Sequence, residues 1–196
     1  MWRAFHRMKG IMKDRLDNEN KKNEIMEKCF KCLVENGLEK TTTRILSSYT
    51  GLTSSSLYYW FAGKDRLVLE STRYGLDQII EEMFTVVYTY LSDLSSIFDK
   101  VIECARLHRN ELRFIFQVAT SPLYGEELRE LAITVPEAID SFSIVLAERL
   151  NCNQEQLRRI VHLTISVILN DIVWEKSCES QIQYEVLYQM LIDMQR

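Results

Sequence analysis

Gly51 stands between two short stretches that each open with a threonine, and this arrangement constrains the chain more than any other feature. Thr42 can cap one helix by accepting from an orphan backbone N–H, and Thr53 can cap a second over Ser54–Trp60. Gly51 tolerates positive φ, so the chain can turn sharply between them. Ser47 is small enough for close approach, and Leu46, Leu52 and Leu57 close an inner face. Two short helices at a steep angle, with a small residue and a glycine at the corner, make a helix–turn–helix. Ordinary helical hairpins use the same corner, so geometry alone leaves both readings open.

The rest of the chain also reads as helix. Its 196 residues contain only 6 Gly and 2 Pro, with 46% hydrophobic and 27% charged residues, as in ordinary globular domains. Residues 1–20 read as an irregular N-terminal arm, within which Met8 and Met12 offer later start sites. From Lys21, Ile25, Cys29, Cys32 and Leu33 follow helical spacing until Asn36-Gly37. A long helix is predicted from Lys64 to about Tyr90, then segments at 95–108, 110–120, 124–150, 153–176 and 180–195. Pro136 should kink or divide the 124–150 segment.

Charge is unevenly spread under the net value of −4. Residues 1–70 hold more Lys and Arg than Asp and Glu, and the remainder holds the reverse. A polyanion partner would therefore meet the first third. Cys29, Cys32, Cys104, Cys152 and Cys178 follow no pairing pattern. Cys29-x-x-Cys32 lacks the second ligand pair that would close a metal tetrahedron, so reduced thiols in a cytoplasmic protein are expected, with no metal and no cofactor. No secretory h-region is visible, and Ile160–Trp174 is too short and too polar to span a bilayer. Gly-rich phosphate loops, H-E-x-x-H and G-x-S-x-G are all missing from the sequence, which gives no support to an enzyme.

Residues 25–67 read IMEKCFKCLVENGLEKTTTRILSSYTGLTSSSLYYWFAGKDRL. Gly37, Thr41, Thr42, Leu46, Gly51, Leu52, Thr53, Leu57, Tyr58, Phe61, Lys64 and Leu67 follow, at unbroken spacing, the pattern of the N-terminal domain of TetR-family regulators, which this segment resembles. The resemblance implies an all-α protein. A three-helix DNA-binding domain with a helix–turn–helix (21–67) would precede a helical-bundle effector-binding and dimerisation domain (68–196). It also implies roles. Thr42 and Thr43 would touch phosphate, Arg44 would read a base or bind phosphate, and Lys64 would pair with phosphate. Ser54, Ser55 and Ser56, after Thr53, would face base edges, with Tyr58 and Tyr59 beside them. Three positions depart from the pattern: Trp60 replaces the usual His, Ser47 the usual Ala, and Ser55 a frequent Gly.

In the body, apolar residues recur at Leu157, Val161, Ile165, Ile168 and Ile172, and again at Leu187, Met190 and Leu191. Such stripes serve as internal core or as a partner face; the resemblance favours a homodimer interface. Phe84, Tyr88, Phe98, Phe114, Phe116, Phe142 and Trp174 are candidates for a small-molecule effector pocket, or for plain core. The expected partners are double-stranded operator DNA, an effector and a second copy of the chain, with no membrane. The expected function is a repressor released from a palindromic operator by its effector. An activator of the same type, or a helical interaction protein with a vestigial DNA-binding head, are the alternatives.

Overall fold

A computed structural model describes the backbone of residues 2–91, 93–131, 134–174 and 177–194. Side chains are described from Leu16 onward within these ranges, except at 94, 95, 131, 134–136, 138, 142, 177 and 178. All regular structure among these residues is helical: α1 (Trp2–Lys40), α2 (Thr43–Thr50), α3 (Ser54–Trp60), α4 (Lys64–Thr89), α5 (Leu94–Leu107), α6 (Arg109–Thr120), α7 (Gly125–Leu131), α8 (Thr134–Leu150), α9 (Gln154–Trp174) and α10 (Ser177–Met194).

One expectation needs correction at the N-terminal end. The arm over residues 1–20 is helical from Trp2 and continues into α1. Its polar run Asp17–Asn20 contains neither Gly nor Pro, so nothing there stops a helix that already propagates from the packed segment. The regular part of α1 ends at Gly37, whose φ of 77° and ψ of 165° are not helical, as the Asn36-Gly37 pair suggests.

The chain divides into two compact units, Met1–Leu76 and Asp77–Arg196. The division lies inside α4 rather than between Leu67 and Val68. Its physical cause is the packing of the first turns of α4 within the N-terminal unit: Leu67, Val68 and Leu69 are buried. At Gly75 the α4 backbone comes so close to α1 that a Cβ would lie 2.3 Å from the Phe30 ring. Only glycine permits that approach.

The N-terminal unit is built around Ile25, Cys29 and Cys32 of α1, Leu46 of α2, Leu57 of α3, Phe61 and Leu67, with Ile45, Leu52 and Trp60 at its edge. Leu57 and Phe61 are almost wholly buried; side chains of this size contribute about 1.5–3 kcal/mol each when taken from water. Cys29 and Cys32 are free thiols inside this core. Burial, reinforced by the neighbouring Cys32, pushes the Cys29 thiol up to about 12.

The second unit has its own core, drawn from Val87 of α4, Ile97, Phe98 and Ile102 of α5, Leu146 of α8, Leu157, Ile160, Ile168 and Ile172 of α9, and Tyr184, Leu187 and Leu191 of α10. The predicted segment 124–150 is two helices, α7 and α8. Pro136 falls in the first turn of α8, where a missing N–H costs nothing. Among the described residues no helix is long and apolar enough to cross a membrane.

Candidate nucleic-acid interface

The corner at Gly51 has the geometry its sequence requires. Gly51 adopts φ 73°, ψ 14°, the left-handed conformation, and ends α2. The Thr42 hydroxyl accepts from Ile45 N–H at 3.3 Å and opens α2. The Thr53 hydroxyl accepts from Ser56 N–H at 3.1 Å and opens α3. Both threonines satisfy donors that a helix start leaves orphaned.

Side-chain hydroxyls then join the two helices. Ser47 Oγ and Ser54 Oγ are 3.1 Å apart, and Thr43 Oγ1 and Tyr58 Oη are 2.9 Å apart. Leu46 and Leu57 meet beneath them in the core. The angle between α2 and α3 is thus held by an apolar contact below and hydroxyl pairs above.

The predicted interface residues divide by exposure. Thr42, Arg44, Thr53, Ser54, Ser55, Tyr58 and Tyr59 are exposed, and Tyr59 is 83% exposed. Thr43, Ser56, Trp60 and Lys64 are half-buried. Ser56 turns its hydroxyl to Thr53 at 2.9 Å, so it belongs to the cap as much as to the outer face. Trp60 packs against the core and meets the Tyr59 ring edge-on at 5.6 Å between centroids. Its bulk is absorbed inward, and Tyr59 projects beyond it.

Sequence reasoning missed the pairs Ser47–Ser54 and Thr43–Tyr58, because a hydroxyl carries no periodic signal. It also missed the role of Phe61 as a platform: the Lys22 ammonium lies 5.4 Å from the centre of its ring and pairs with Glu70.

In the second unit a cavity of about 570 Å3 opens between α5 and α10. Phe98, Ile102, Arg106, Tyr184 and Tyr188 line it, with Asp99, Glu103 and Glu185 around them. Of the aromatics proposed for a pocket, Phe98 is the only one among the described side chains that lines it. Phe114 is buried, Phe84 half-buried, and Tyr88, Phe116 and Trp174 are exposed. The side chain of Phe142 lies outside the described residues. Behind the cavity wall Asp171 is buried. Its Oδ2 accepts from Arg106 Nε at 3.2 Å and Tyr184 Oη at 3.5 Å. Helical spacing could not reveal a cavity that depends on how α5 and α10 meet.

The proposed dimer stripe also changes. Leu157, Ile168, Ile172, Leu187 and Leu191 are buried within their own unit. Val161 and Ile165 are half-buried. Met190 is exposed, and it shares α9 and α10 with other exposed apolar side chains, Leu163, Leu169, Ile182 and Val186. Stripes of such width have an inner and an outer edge, and spacing alone does not say which is which.

Several solved structures share this architecture. A protein from Mesorhizobium loti MAFF303099 assigned to the TetR family of transcriptional regulators superposes with a TM-score of 0.66 at 13% identity, covering 87% of this chain and 94% of that one. The chain has the TetR-family fold. The multidrug binding protein EbrR, complexed with imidazole, superposes on the same fold with a TM-score of 0.63 at 20% identity, covering 86% and 93%. A TetR-family transcriptional regulator from Streptomyces coelicolor gives 0.61 at 10% identity, covering 88% and 79%. No protein-family model and no curated protein sequence matches the chain. The TetR fold is thus carried here by a sequence only 10–20% identical to those of these structural neighbours.

Proposed function

We propose that the protein is a homodimeric transcriptional repressor that binds a palindromic operator through α2 and α3 and leaves it when a small molecule occupies the second unit. The observation that carries this reading is the outer face of α3. Ser54, Ser55, Tyr58 and Tyr59 are exposed together along a helix whose start is capped and whose angle to α2 is pinned. Such a helix enters the major groove and presents its N-terminal residues to base edges. Arg44 supplies a guanidinium able to bond guanine O6 and N7, and Lys64 at the start of α4 supplies a phosphate contact. Excess positive charge in residues 1–70 favours the same partner.

A second copy would dock on the outer edges of α9 and α10, through Leu163, Leu169, Ile182, Val186 and Met190. Two-fold symmetry of that contact makes the operator palindromic. The effector would enter the cavity lined by Phe98, Arg106, Tyr184 and Tyr188, and would act by favouring one spacing of the reading heads over another. The likeness to a multidrug binding protein agrees with an aromatic-lined effector site.

Salt-dependent gel shifts on the DNA upstream of the coding sequence, with random-operator selection, test the reading. Sequence-selective binding is expected. Lys64→Ala should weaken all sequences alike and lower the salt slope by about 1, whereas Arg44→Ala should also relax base preference at one position. Absence of any selective, salt-sensitive binding sinks the proposal.

A further inference from the structure

Cys-x-x-Cys spacing directs attention to Cys29 and Cys32, yet the fold gathers a different set of metal-binding side chains in the second unit. Cys104 lies in the last turn of α5. His108 follows four residues later at the junction with α6, and its backbone N–H still donates to the Cys104 carbonyl at 3.2 Å. This i, i+4 relation places both side chains on one helical face. Glu82, from the C-terminal half of α4, reaches the same point, and its Oε2 lies 2.9 Å from His108 Nε2. The Cys104 sulfur, a His108 ring nitrogen and a Glu82 oxygen all lie within 4.8 Å of one another.

We infer that Glu82, Cys104 and His108 form a binding site for one divalent transition-metal ion, with zinc the best fit. A sulfur, an imidazole nitrogen and a carboxylate oxygen form the mixed donor set that suits zinc, whereas magnesium and calcium prefer oxygen alone. Zinc binds these donors at about 2.3, 2.0–2.1 and 2.0–2.2 Å, which puts neighbouring donors of a tetrahedron roughly 3.3–3.6 Å apart. The 4.8 Å bound on the three atoms exceeds that spacing by about 1 Å, a difference that side-chain rotation can close. Cys104 and His108 are held by the helical turn, so little ordering remains to be done on binding.

Burial is graded in the way an entry path requires. Cys104 is 3% exposed, the His108 side chain 24% and the Glu82 side chain 53%. An ion would meet Glu82 first and the thiol last. Binding replaces the proton shared by His108 and Glu82 and displaces the thiol proton, as zinc does at other cysteine sites. A histidine–glutamate pair alone accounts for two of the three groups; it gives no reason for a sulfur within 4.8 Å of both. Three protein ligands leave a fourth position for water or another donor. Once filled, the site ties α4 to the α5–α6 junction.

The inference stands apart from DNA binding and is tested without it. Purified full-length protein is dialysed against zinc and assayed for bound metal, and cobalt(II) is substituted for optical spectroscopy. One equivalent of zinc per chain is expected, with a thiolate-to-cobalt charge-transfer band and the visible bands of tetrahedral cobalt. Cys104→Ser should abolish the thiolate band. Cys104→Ser, His108→Asn and Glu82→Gln should each weaken zinc binding at least tenfold. Glu82→Gln changes an exposed side chain and leaves the fold intact, so it keeps the test decisive if a buried replacement unfolds the protein. Failure to bind one equivalent, affinity unchanged in Glu82→Gln, or loss of the metal only in Cys29→Ser and Cys32→Ser would overturn the assignment.

Discussion

The hydroxyls of Thr43 and Tyr58 lie 2.9 Å apart and bridge the first turn of α2 to the outer face of α3. Either can donate, so the pair can open to give one hydroxyl to another acceptor and keep the other ring or methyl in place. Tyr58→Phe is expected to lower folding stability by under about 1 kcal/mol, because the bridge is exposed to water. Operator affinity should fall more, by about tenfold, if the hydroxyl bonds a phosphate. Denaturant unfolding and gel shifts on one preparation check both. Equal small losses in each would assign the pair to stability alone.

Close approach at Gly75 gives a sharper test of packing. Gly75→Ala puts a methyl 2.3 Å from the Phe30 ring, and the strain should cost about 1–3 kcal/mol. Gly51→Ala meets nothing within 4 Å and carries only the penalty of its left-handed backbone, expected at about 1 kcal/mol. Phe30→Leu should recover part of the loss in Gly75→Ala and none in Gly51→Ala. Thermal melts of the four variants decide; a rescue of both would refute the contact as the cause.

Neighbouring residues on α10 should respond in opposite ways. Val186 is 56% exposed and Leu187 5% exposed. If the proposed second copy docks there, Val186→Asp should leave the chain folded while raising the dissociation constant of the dimer by at least tenfold. Leu187→Asp buries a charge without a partner and should unfold the second unit, at a cost above about 3 kcal/mol. Sedimentation and circular dichroism separate the two outcomes. A Val186→Asp protein that still dimerises would move the interface elsewhere.

Tyr184 makes alkaline pH informative. Burial, and after it the negative Asp171, push its phenol up to about 12 from an ordinary 10. The folded state therefore holds the proton more tightly than the unfolded state. The resulting stability is complete below pH 10 and is lost as pH rises from 10 to about 12. Denaturant midpoints across that window should decline more gently in Tyr184→Phe than in the parent. An identical decline would place the titrating group elsewhere.

The Gly51 corner and both threonine caps were legible because each rests on local chemistry. A cap needs one hydroxyl three residues from one N–H, and a left-handed turn needs one glycine. The arm over residues 1–20 misled for the same reason: its polar run resembles a loop locally, while a helix already packed further along extends through it. Dimer and pocket residues were less legible, since an apolar stripe does not label its inner edge. Leu187 and Val186 are adjacent and similar in hydrophobicity, and only the docking of α10 on α9 separates them.

From the sequence alone one could therefore determine that this chain is helical and where its sharp turn lies. Tertiary structure decided which apolar residues remain exposed, which aromatic rings bound a cavity, and that Glu82 meets Cys104 and His108. Periodicity records relations within one helix, over a few residues. A cavity or a cluster of ligands depends on the distance between helices, and that distance is set by the packing of side chains far apart in the chain.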